Sequence, residues 1–419
     1  MRRRSPITFL IVPLFIIFIE SAAYFGWSHL LANSGHTTLL TYFKAFYITE
    51  VVAIAAVFFM VMGSFTKRLN VRRTYYGFQG AGIIMTDILP KMFFSVFVLL
   101  YFIIQSAYIG LNHLFVHSSH IRLGMDWILI IGTIFSFTLF IFIVRGILVG
   151  RFDFKVLHET IEFDNLPKAF DGLRAVQISD MHIGSFYSHK DQIEKAVDMI
   201  NNLKPDMIFF TGDMVNNVAE EFKGFEHIFQ KLKAPLGKFS ILGNHDYGDY
   251  VKWESKEAKE ANLNTLVALE QKAGFDMLLN ENRIIERDGQ QIAIVGVENW
   301  GAPPFAQYGQ LPLAIKGTEN VPFRILLSHD PSHWDIEVAE KTNIQLTLAG
   351  HTHGMQFGIR IGEWQWSPVQ WRYERWHGLY THNKNQHLYV NRGLGHLGFP
   401  GRVGMLPEIT VIEFKRSQS

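Results

Sequence analysis

The stretch Leu348–Gly358 reads LAGHTHGMQFG: an apolar run that ends in a glycine and then presents two histidines one residue apart, His351 and His353. In an extended segment residues i and i+2 point the same way, ~6.6 Å apart at ~3.3 Å per residue, so both imidazoles can serve one site. Alone, an H-x-H in a surface turn is the commoner reading. Its meaning depends on how the other strands of the chain end.

Four more strand-like runs stop in the same manner, with a metal-binding side chain directly after a buried stretch. They end in Asp180 and His182 (ISDMH), Asp213 (TGD), Asn244 and His245 (LGNHD) and His329 (LSHD). Asp after Gly is a common turn, and Asn-His-Asp is a reasonable helix N-cap. Those ordinary roles account for any one ending but not for five in series. In open α/β folds the carboxyl ends of strands converge on one edge, where ligands bind, so groups dozens of residues apart can meet. Gly212, Gly243 and Gly350 directly precede three of these residues and are expected to give the backbone freedom for a sharp exit.

The segments between these endings support that topology. From Gly150 onward, Val-, Ile- and Phe-rich runs such as RFDFKVLHETIEF and GLRAVQISD alternate with helical patterns such as SHKDQIEKAVDMINNL and SKEAKEANLNTLVALEQKA. The rhythm predicts an α/β sandwich with mixed sheets over residues 151–419.

Residues 1–150 are different. Four apolar segments, Ile7 to Ala32, Tyr42 to Met62, Met92 to Leu114 and Trp127 to Val149, each have the ~20 residues that an α-helix needs to cross a ~30 Å hydrocarbon core. The opening MRRRSPITFLIVPLFIIFI also fits a signal peptide, but the spans that follow and the lack of a small-x-small cleavage site favour an uncleaved anchor. Arg2, Arg3, Arg4, Lys67, Arg68, Arg72, Arg73 and Lys91 fall before the first span or between the second and third. The positive-inside bias then places both termini, and the large C-terminal domain, in the cytoplasm of a multi-pass membrane protein. Glu20 and Glu50 lie within spans without an obvious basic partner and are expected at helix junctions or bundle contacts.

Charge divides the same way. Residues 1–150 hold 11 Lys and Arg against four acids, so they carry +7, and the remaining 28 against 34 carry −6. A mildly acidic domain does not suit non-specific nucleic-acid binding, which neutralises phosphates with clustered cations. The chain has no cysteine, which excludes disulfides, iron–sulfur clusters and thiolate zinc sites. Any metal must therefore be held by His, Asp, Asn or Glu.

The series SDMH, TGD, GNHD, SHD and GHTHG resembles the signature of the calcineurin-like metallophosphoesterase superfamily, over roughly Val156 to Phe414. GHTHGMQ and NRGLG are similar to its YkuE-like branch, which includes lipid-associated phosphodiesterases; Met355 stands where that branch usually has a second glycine. The resemblance implies a four-layer α/β/β/α sandwich of two mixed sheets, here preceded by four transmembrane helices, and two divalent metals about 3.5–4 Å apart. By position, Asp180, His182 and His353 would hold one metal, Asn244, His329 and His351 the other, and Asp213 would bridge them. His245 would approach the phosphate without a metal, and Asp246 would orient its ring.

That set fits the chemistry. A phosphoester is anionic and repels hydroxide, and a metal lowers the pKa of its water from 15.7 to about 7. A hydroxide bridging two metals would then attack a phosphodiester or pyrophosphate bond. Neutral imidazoles and Asn244 leave net positive charge for the substrate, and His245 when protonated could protonate the leaving oxygen, an effect of about 10²–10⁴ in rate. Nitrogen and oxygen ligands suit Mn, Fe, Zn, Co or Ni without choosing among them. Trp364, Trp366, Trp371 and Trp376, with Arg372 and Arg375 nearby, suit either a membrane interface or a core over the site. Arg392 and Arg402 could bind phosphate or pair with surface acids. By analogy with UDP-diacylglucosamine pyrophosphatases of the superfamily, the expected substrate is a lipid-linked phosphoester. The alternative is a non-catalytic membrane sensor or scaffold that keeps the fold as a binding module.

Overall fold

Met207-Ile208-Phe209-Phe210 is apolar at every position, and only a strand covered on both faces can bury such a run. In the computed structural model, which describes residues 6–66, 70–115, 124–362 and 364–417, it is a central strand with Met207 and Phe209 on one face and Ile208 and Phe210 on the other. In chain order the elements are α1 (Pro6–Asn33), α2 (Thr37–Thr66), α3 (Val71–Phe115), α4 (Asp126–Leu148), β1 (Lys155–Phe163), β2 (Arg174–Ile178), α5 (Lys190–Asn202), β3 (Met207–Phe210), α6 (Glu226–Phe229), β4 (Lys238–Ser240), α7 (Lys256–Lys272), β5 (Asp276–Met277), β6 (Glu281–Arg287), β7 (Gln290–Gly296), α8 (Leu311–Ala314), β8 (Arg324–Leu327), β9 (Leu346–Ala349), β10 (Ile359–Ile361), β11 (Trp364–Trp366), β12 (Gly378–Asn383), β13 (Gln386–Val390) and β14 (Glu408–Arg416).

The strands form two six-stranded mixed sheets, ordered β1-β14-β2-β3-β4-β5 and β12-β13-β9-β8-β7-β6, and a separate β10-β11 hairpin. Side-chain alternation sorts the residues into layers. Ala175, Met207, Phe209, Phe239, Ile294, Leu327, Leu348 and Phe414 fill the space between the two sheets. Val176, Ile178, Ile208 and Phe210 face α5, whose Ile193, Ala196, Val197 and Ile200 recur at helical spacing. Beyond the second sheet, Val295, Leu326 and Val390 are covered by Leu311, Trp334 and Val338 from short helical segments. The result is the four-layer α/β/β/α arrangement expected from the motifs.

The chain divides into two compact units, one of Met1–Arg68 and Tyr76–Arg145, the other of Leu69–Tyr75 and Gly146–Ser419. The first holds the four long apolar helices, packed around Ala23, Phe94, Val98, Tyr101 and Leu129. All four expected spans are helical where described. The third differs in extent, because α3 begins at Val71 rather than near Met92 and runs for 45 residues. At ~1.5 Å per residue it is about 68 Å long, more than twice a ~30 Å hydrocarbon core.

That extension corrects two expectations. Lys91 is not in a loop: it lies inside α3, 5% exposed, with its Nζ 3.0 Å from Glu20, 2.8 Å from Glu50 and 2.8 Å from Asp87. Glu20 and Glu50 therefore do have a basic partner, one that a loop assignment placed out of reach. Of the other basic residues used for orientation, Arg72 and Arg73 lie in the first turn of α3, whereas Arg2, Arg3, Arg4, Lys67 and Arg68 fall outside the described residues.

Candidate metal centre

Five strand ends deliver the predicted residues to one edge of the sandwich. Asp180 and His182 follow β2, Asp213 follows β3, and Asn244 and His245 follow β4, all from the first sheet. His329 follows β8, and His351 and His353 follow β9, from the second. Backbone bonds tie the loops together: Asp180 N donates to Gly212 O (2.9 Å), His182 N to Asp213 O (3.0 Å) and Gly350 N to His329 O (2.9 Å). The Asp180 carboxylate accepts the His351 amide at 3.0 Å, which links the two sheets at the site.

The exits are sharp, but not for the reason the preceding glycines suggested. Asp180, His182, Asp213, His351 and His353 themselves hold φ between 43° and 71°, in the left-handed region that L-residues rarely occupy. Of the three glycines only Gly212 shares a positive φ, at 93°. Gly243 and Gly350 are required for space instead. A Cβ at Gly243 would collide with Asp213, and one at Gly350 with Ser179 and the Asp180 carboxylate. The turning strain, of order 1–3 kcal/mol per residue, is carried by the functional side chains, as is common at binding sites.

Two triplets of ligand atoms result, Asp180–His182–His353 and Asp213–His329–His351, each with its atoms within 4.8 Å of one another. His182 Nε2 and His353 Nε2 are 3.0 Å apart, and Asp180 Oδ1 is 3.2 Å from His353 Nε2. In the second group, His329 Nε2 is 3.2 Å from Asp213 Oδ2 and 3.1 Å from Asn244 Oδ1, and His351 Nδ1 is 2.8 Å from Asn244 Oδ1.

The outer contacts decide which atoms face inward. His329 Nδ1 donates to Thr211 O (2.7 Å), and Asn244 Nδ2 donates to Tyr250 Oη (2.7 Å). His351 Nε2 lies 2.7 Å from Tyr373 Oη; with its proton there, His351 Nδ1 and Asn244 Oδ1 present lone pairs to one point, which His329 Nε2 joins once its own proton is displaced. Acceptors do not attract acceptors, and buried lone pairs are stable together only around a positive charge. The donor set therefore fits a divalent cation. Likewise His182 Nδ1 is 3.2 Å from Val215 O, which leaves its Nε2 lone pair for the first group.

Charge pairs His329 with Asp213 through a proton that a cation must displace. Burial would push the Asp213 carboxyl up, but the adjacent His329 and His245 hold it well below the usual range. Burial would lower His329, and Asp213 reverses this and raises it to about 10. Burial lowers His182 to about 3 and His351 to about 4, so both are neutral and ready to coordinate at neutral pH. Burial also raises Asp180 to about 6.

Several expected roles change. Asp246 does not orient His245, because its carboxylate accepts the backbone N–H groups of Gly243 (2.8 Å), Asp213 (2.9 Å) and Val215 (3.2 Å). The His245 ring is instead set by Nδ1 donating to Asn216 O at 2.7 Å, and its amide donates to Asp213 Oδ1 at 2.8 Å. Arg392 and Arg402 are buried, paired neither with surface acids nor aimed at open solvent. Arg392 forms an ion pair with buried Glu408 (2.6 Å), while Arg402 donates to the carbonyls of Arg392 (2.8 Å), Gly395 (2.8 Å) and His353 (3.1 Å) and so fixes the His353 loop. The tryptophans divide between the two expectations: Trp376 is buried with Val369, Tyr373 and Met405, whereas Trp364 and Trp371 are 57% and 77% exposed.

Tyr250, Tyr373 and Asn216 were not anticipated. Each acts through one hydroxyl or one carbonyl; Asn216 and Tyr250 follow the TGD and GNHD motifs by a few residues, but neither is itself a ligand of those motifs, so only their placement in space reveals them.

Residues 173–355 match the calcineurin-like phosphoesterase family. The uncharacterized metallophosphoesterase YkuE of Bacillus subtilis is 32% identical over 270 residues, which cover 62% of this chain and 85% of that protein. A transmembrane protein with metallophosphoesterase domain from Danio rerio is 27% identical over 270 residues, 63% of this chain and 58% of its own length. UDP-2,3-diacylglucosamine pyrophosphatase LpxG of Chlamydia trachomatis is 30% identical over 279 residues, covering 55% of this chain and 81% of that protein. Similarity that extends over most of the Bacillus protein is the similarity of a shared fold and descent, and the chain belongs to the calcineurin-like metallophosphoesterases, metal-dependent phosphoric ester hydrolases.

Proposed function

We propose that this chain is a membrane-anchored phosphoesterase that holds two divalent metals and hydrolyses a phosphodiester or pyrophosphate bond of a lipid-linked substrate. The observation that carries the reading is the convergence of buried histidine, aspartate and asparagine side chains from both sheets on one edge, in the groups Asp180–His182–His353 and Asp213–His329–His351 with Asn244 beside the second. Asp180, His182 and His353 would hold one metal, Asn244, His329 and His351 the second, and the two carboxylate oxygens of Asp213 suit a bridge. When bound, the metals supply a nucleophile by lowering the pKa of coordinated water and cancel charge on the phosphate. His245, with Nδ1 committed to Asn216, has Nε2 free to donate to a phosphate or leaving-group oxygen.

The lipid assignment draws on a second feature. In the β10-β11 hairpin Ile361 pairs with Trp364 and Ile359 with Trp366, and exposed Ile359, Ile361 and Trp364 share this apolar face. Trp371 packs edge-on against Trp366. A two-stranded hairpin is marginal in water, and this one presents aromatic and branched side chains suited to headgroup depth. The similarity to the Chlamydia pyrophosphatase, whose substrate carries acyl chains, points the same way. Arg72 and Arg73 before the apolar part of α3 favour a cytoplasmic catalytic unit.

The test is a hydrolysis screen of lipid-linked against soluble phosphoesters in detergent, with metal content measured on the same preparation. Two metals per chain with preference for the lipid-linked class is the expected result. Metal-free, inactive protein would instead support a scaffold, and preference for soluble nucleotides would remove the lipid assignment alone. A reporter at the C-terminus active only outside the cytoplasm would reverse the orientation.

A further inference from the structure

The helical unit contains an ionic cluster whose charges do not balance. Lys91 on α3 places Nζ within 3.1 Å of Glu20 Oε1 and Oε2 and Glu50 Oε1 and Oε2, and 2.8 Å from Asp87 Oδ1. One ammonium faces three carboxyl groups, so with all three ionised the cluster carries −2. In a bundle suited to a bilayer, uncompensated charge of that size costs several kcal/mol per ion.

The hydrogen count gives the same answer. An ammonium has three hydrogens, and Lys91 directs them at three carboxyl groups. Tyr47 Oη donates to Glu20 Oε2 at 2.7 Å and so serves Glu20 alone. Ser95 Oγ is spent on the Lys91 carbonyl (2.8 Å) and Ser136 Oγ on the Pro90 carbonyl (2.8 Å). On α4 the charged residues are Asp126, which pairs with His29 at 3.2 Å, and Arg145 near its other end. Glu50 Oε1 and Asp87 Oδ1 each lie 2.8 Å from the same Lys91 Nζ, which brings the two carboxyl groups side by side. Asp87 Oδ2, fully buried, meets no donor among the described residues. Two carboxylates in contact repel; one carboxylate and one carboxylic acid form a short, strong bond.

We infer that the helical unit is a proton-binding site, with one exchangeable proton shared between Glu50 and Asp87 beside Lys91. The proton satisfies Asp87 and brings the cluster from −2 to −1. A metal cation is the weaker occupant, because the Lys91 ammonium already stands at the centre of the carboxylate oxygens. Intramembrane carboxyl groups of this kind mark proton relays, so the unit has the chemistry to take up or release a proton across part of the bilayer, a capacity separate from hydrolysis.

This rests on the bilayer reading of the four helices, and the two fail differently. Release of the protein from membranes by an alkaline wash without detergent would overturn the bilayer reading. The proton site is tested on the detergent-extracted full chain by infrared difference spectroscopy at neutral pH, comparing wild type with Asp87→Asn, Glu50→Gln and the double variant. Each single variant should lose one protonated-carboxyl C=O band, and the double variant should lose no more than either alone, because the two groups share one proton. An unchanged helical circular dichroism signal in detergent shows that the helical unit of each variant folds, and retained hydrolysis of a nitrophenyl phosphodiester shows that the catalytic unit does. A wild-type spectrum whose band survives both single substitutions overturns the inference. So does a sodium- or calcium-dependent rise in melting temperature that wild type shows and Asp87→Asn lacks, since a cation would then occupy the cluster.

Discussion

The chain builds two buried polar clusters by opposite means. At the sandwich edge, acceptors outnumber donors and the backbone is bent to collect them: five of the collected side chains sit at positive φ. In the helical unit, Glu20, Glu50, Asp87 and Lys91 project from regular helix with no comparable distortion. The first arrangement concentrates lone pairs for a cation that comes from outside, and the second supplies its own cation and is short of hydrogen. Strained loops hold a set of ligands at fixed distances, whereas helices hold charges whose occupancy can change without moving the backbone.

The largest effect should come from removing the shared acid of the edge site. Asp213→Ala is expected to reduce metal-dependent hydrolysis by ~10³-fold or more, beyond the 10–100-fold typical of outer-contact changes, as read by kcat/KM on a nitrophenyl phosphodiester. In the other cluster, Lys91→Met leaves three carboxyl groups without their cation. It should cost about 3–5 kcal/mol in detergent unfolding, since stranding buried charge is far more damaging than replacing a whole pair; a loss below ~1 kcal/mol would show that the cluster is solvated.

Tyr373→Phe removes the partner of His351 Nε2 and should weaken metal binding by about 10–100-fold while leaving the fold intact. A smaller effect confined to kcat would assign Tyr373 to substrate instead. The pH response separates the clusters further. In metal-free protein Asp213 raises His329 from 6.5 to about 10, so the stabilisation from this pair is complete below 6.5 and is lost as pH rises through about 10. Metal must displace that proton, so affinity should climb across the same window. Calorimetric titration in two buffers of different ionisation enthalpy should report about one proton released at neutral pH, and zero release would contradict the His329 assignment.

The smallest effect is expected at Met355, 58% exposed with φ 53°. Met355→Gly relieves a left-handed backbone cost of about 1–2 kcal/mol and returns part of it as unfolded-state entropy, for a net gain of about 1 kcal/mol in thermal unfolding.

These contrasts explain what the sequence disclosed. The edge site was legible because each ligand sits two to four residues past a strand end, so a short window displays both the buried run and the polar terminus. Four spans were legible by length and hydropathy. The Lys91 cluster was not, since its members are separated by up to 71 positions and each looks like an isolated charge; only the continuation of α3 through Pro90 brings them together. Asp246 was misread for a related reason: it belongs to the GNHD motif, yet its carboxylate binds backbone N–H groups that no pattern of side chains records, and Arg402, outside every motif, holds the His353 loop through backbone carbonyls. Trp376 and Trp371 differ by five positions, and Trp376 is the one covered because it packs with Met405, a residue distant in sequence, as well as with nearby Tyr373.

The pairing of β1 with β14 has a consequence for how the catalytic unit comes into being. Lys155 lies opposite Glu408 and Phe163 opposite Arg416, a parallel register of nine residues joining strands about 250 positions apart. β14 also separates β1 from β2. During synthesis the first sheet therefore lacks its second member until Glu408–Arg416 has left the ribosome, about 250 residues after β1, and β1 waits with an unpaired edge. Long-range closure of this kind slows folding and exposes the nascent sheet to wrong partners. β14 is thus the latch of the unit, and ending the chain ahead of Glu408 should yield a protein that aggregates rather than one that is merely less active.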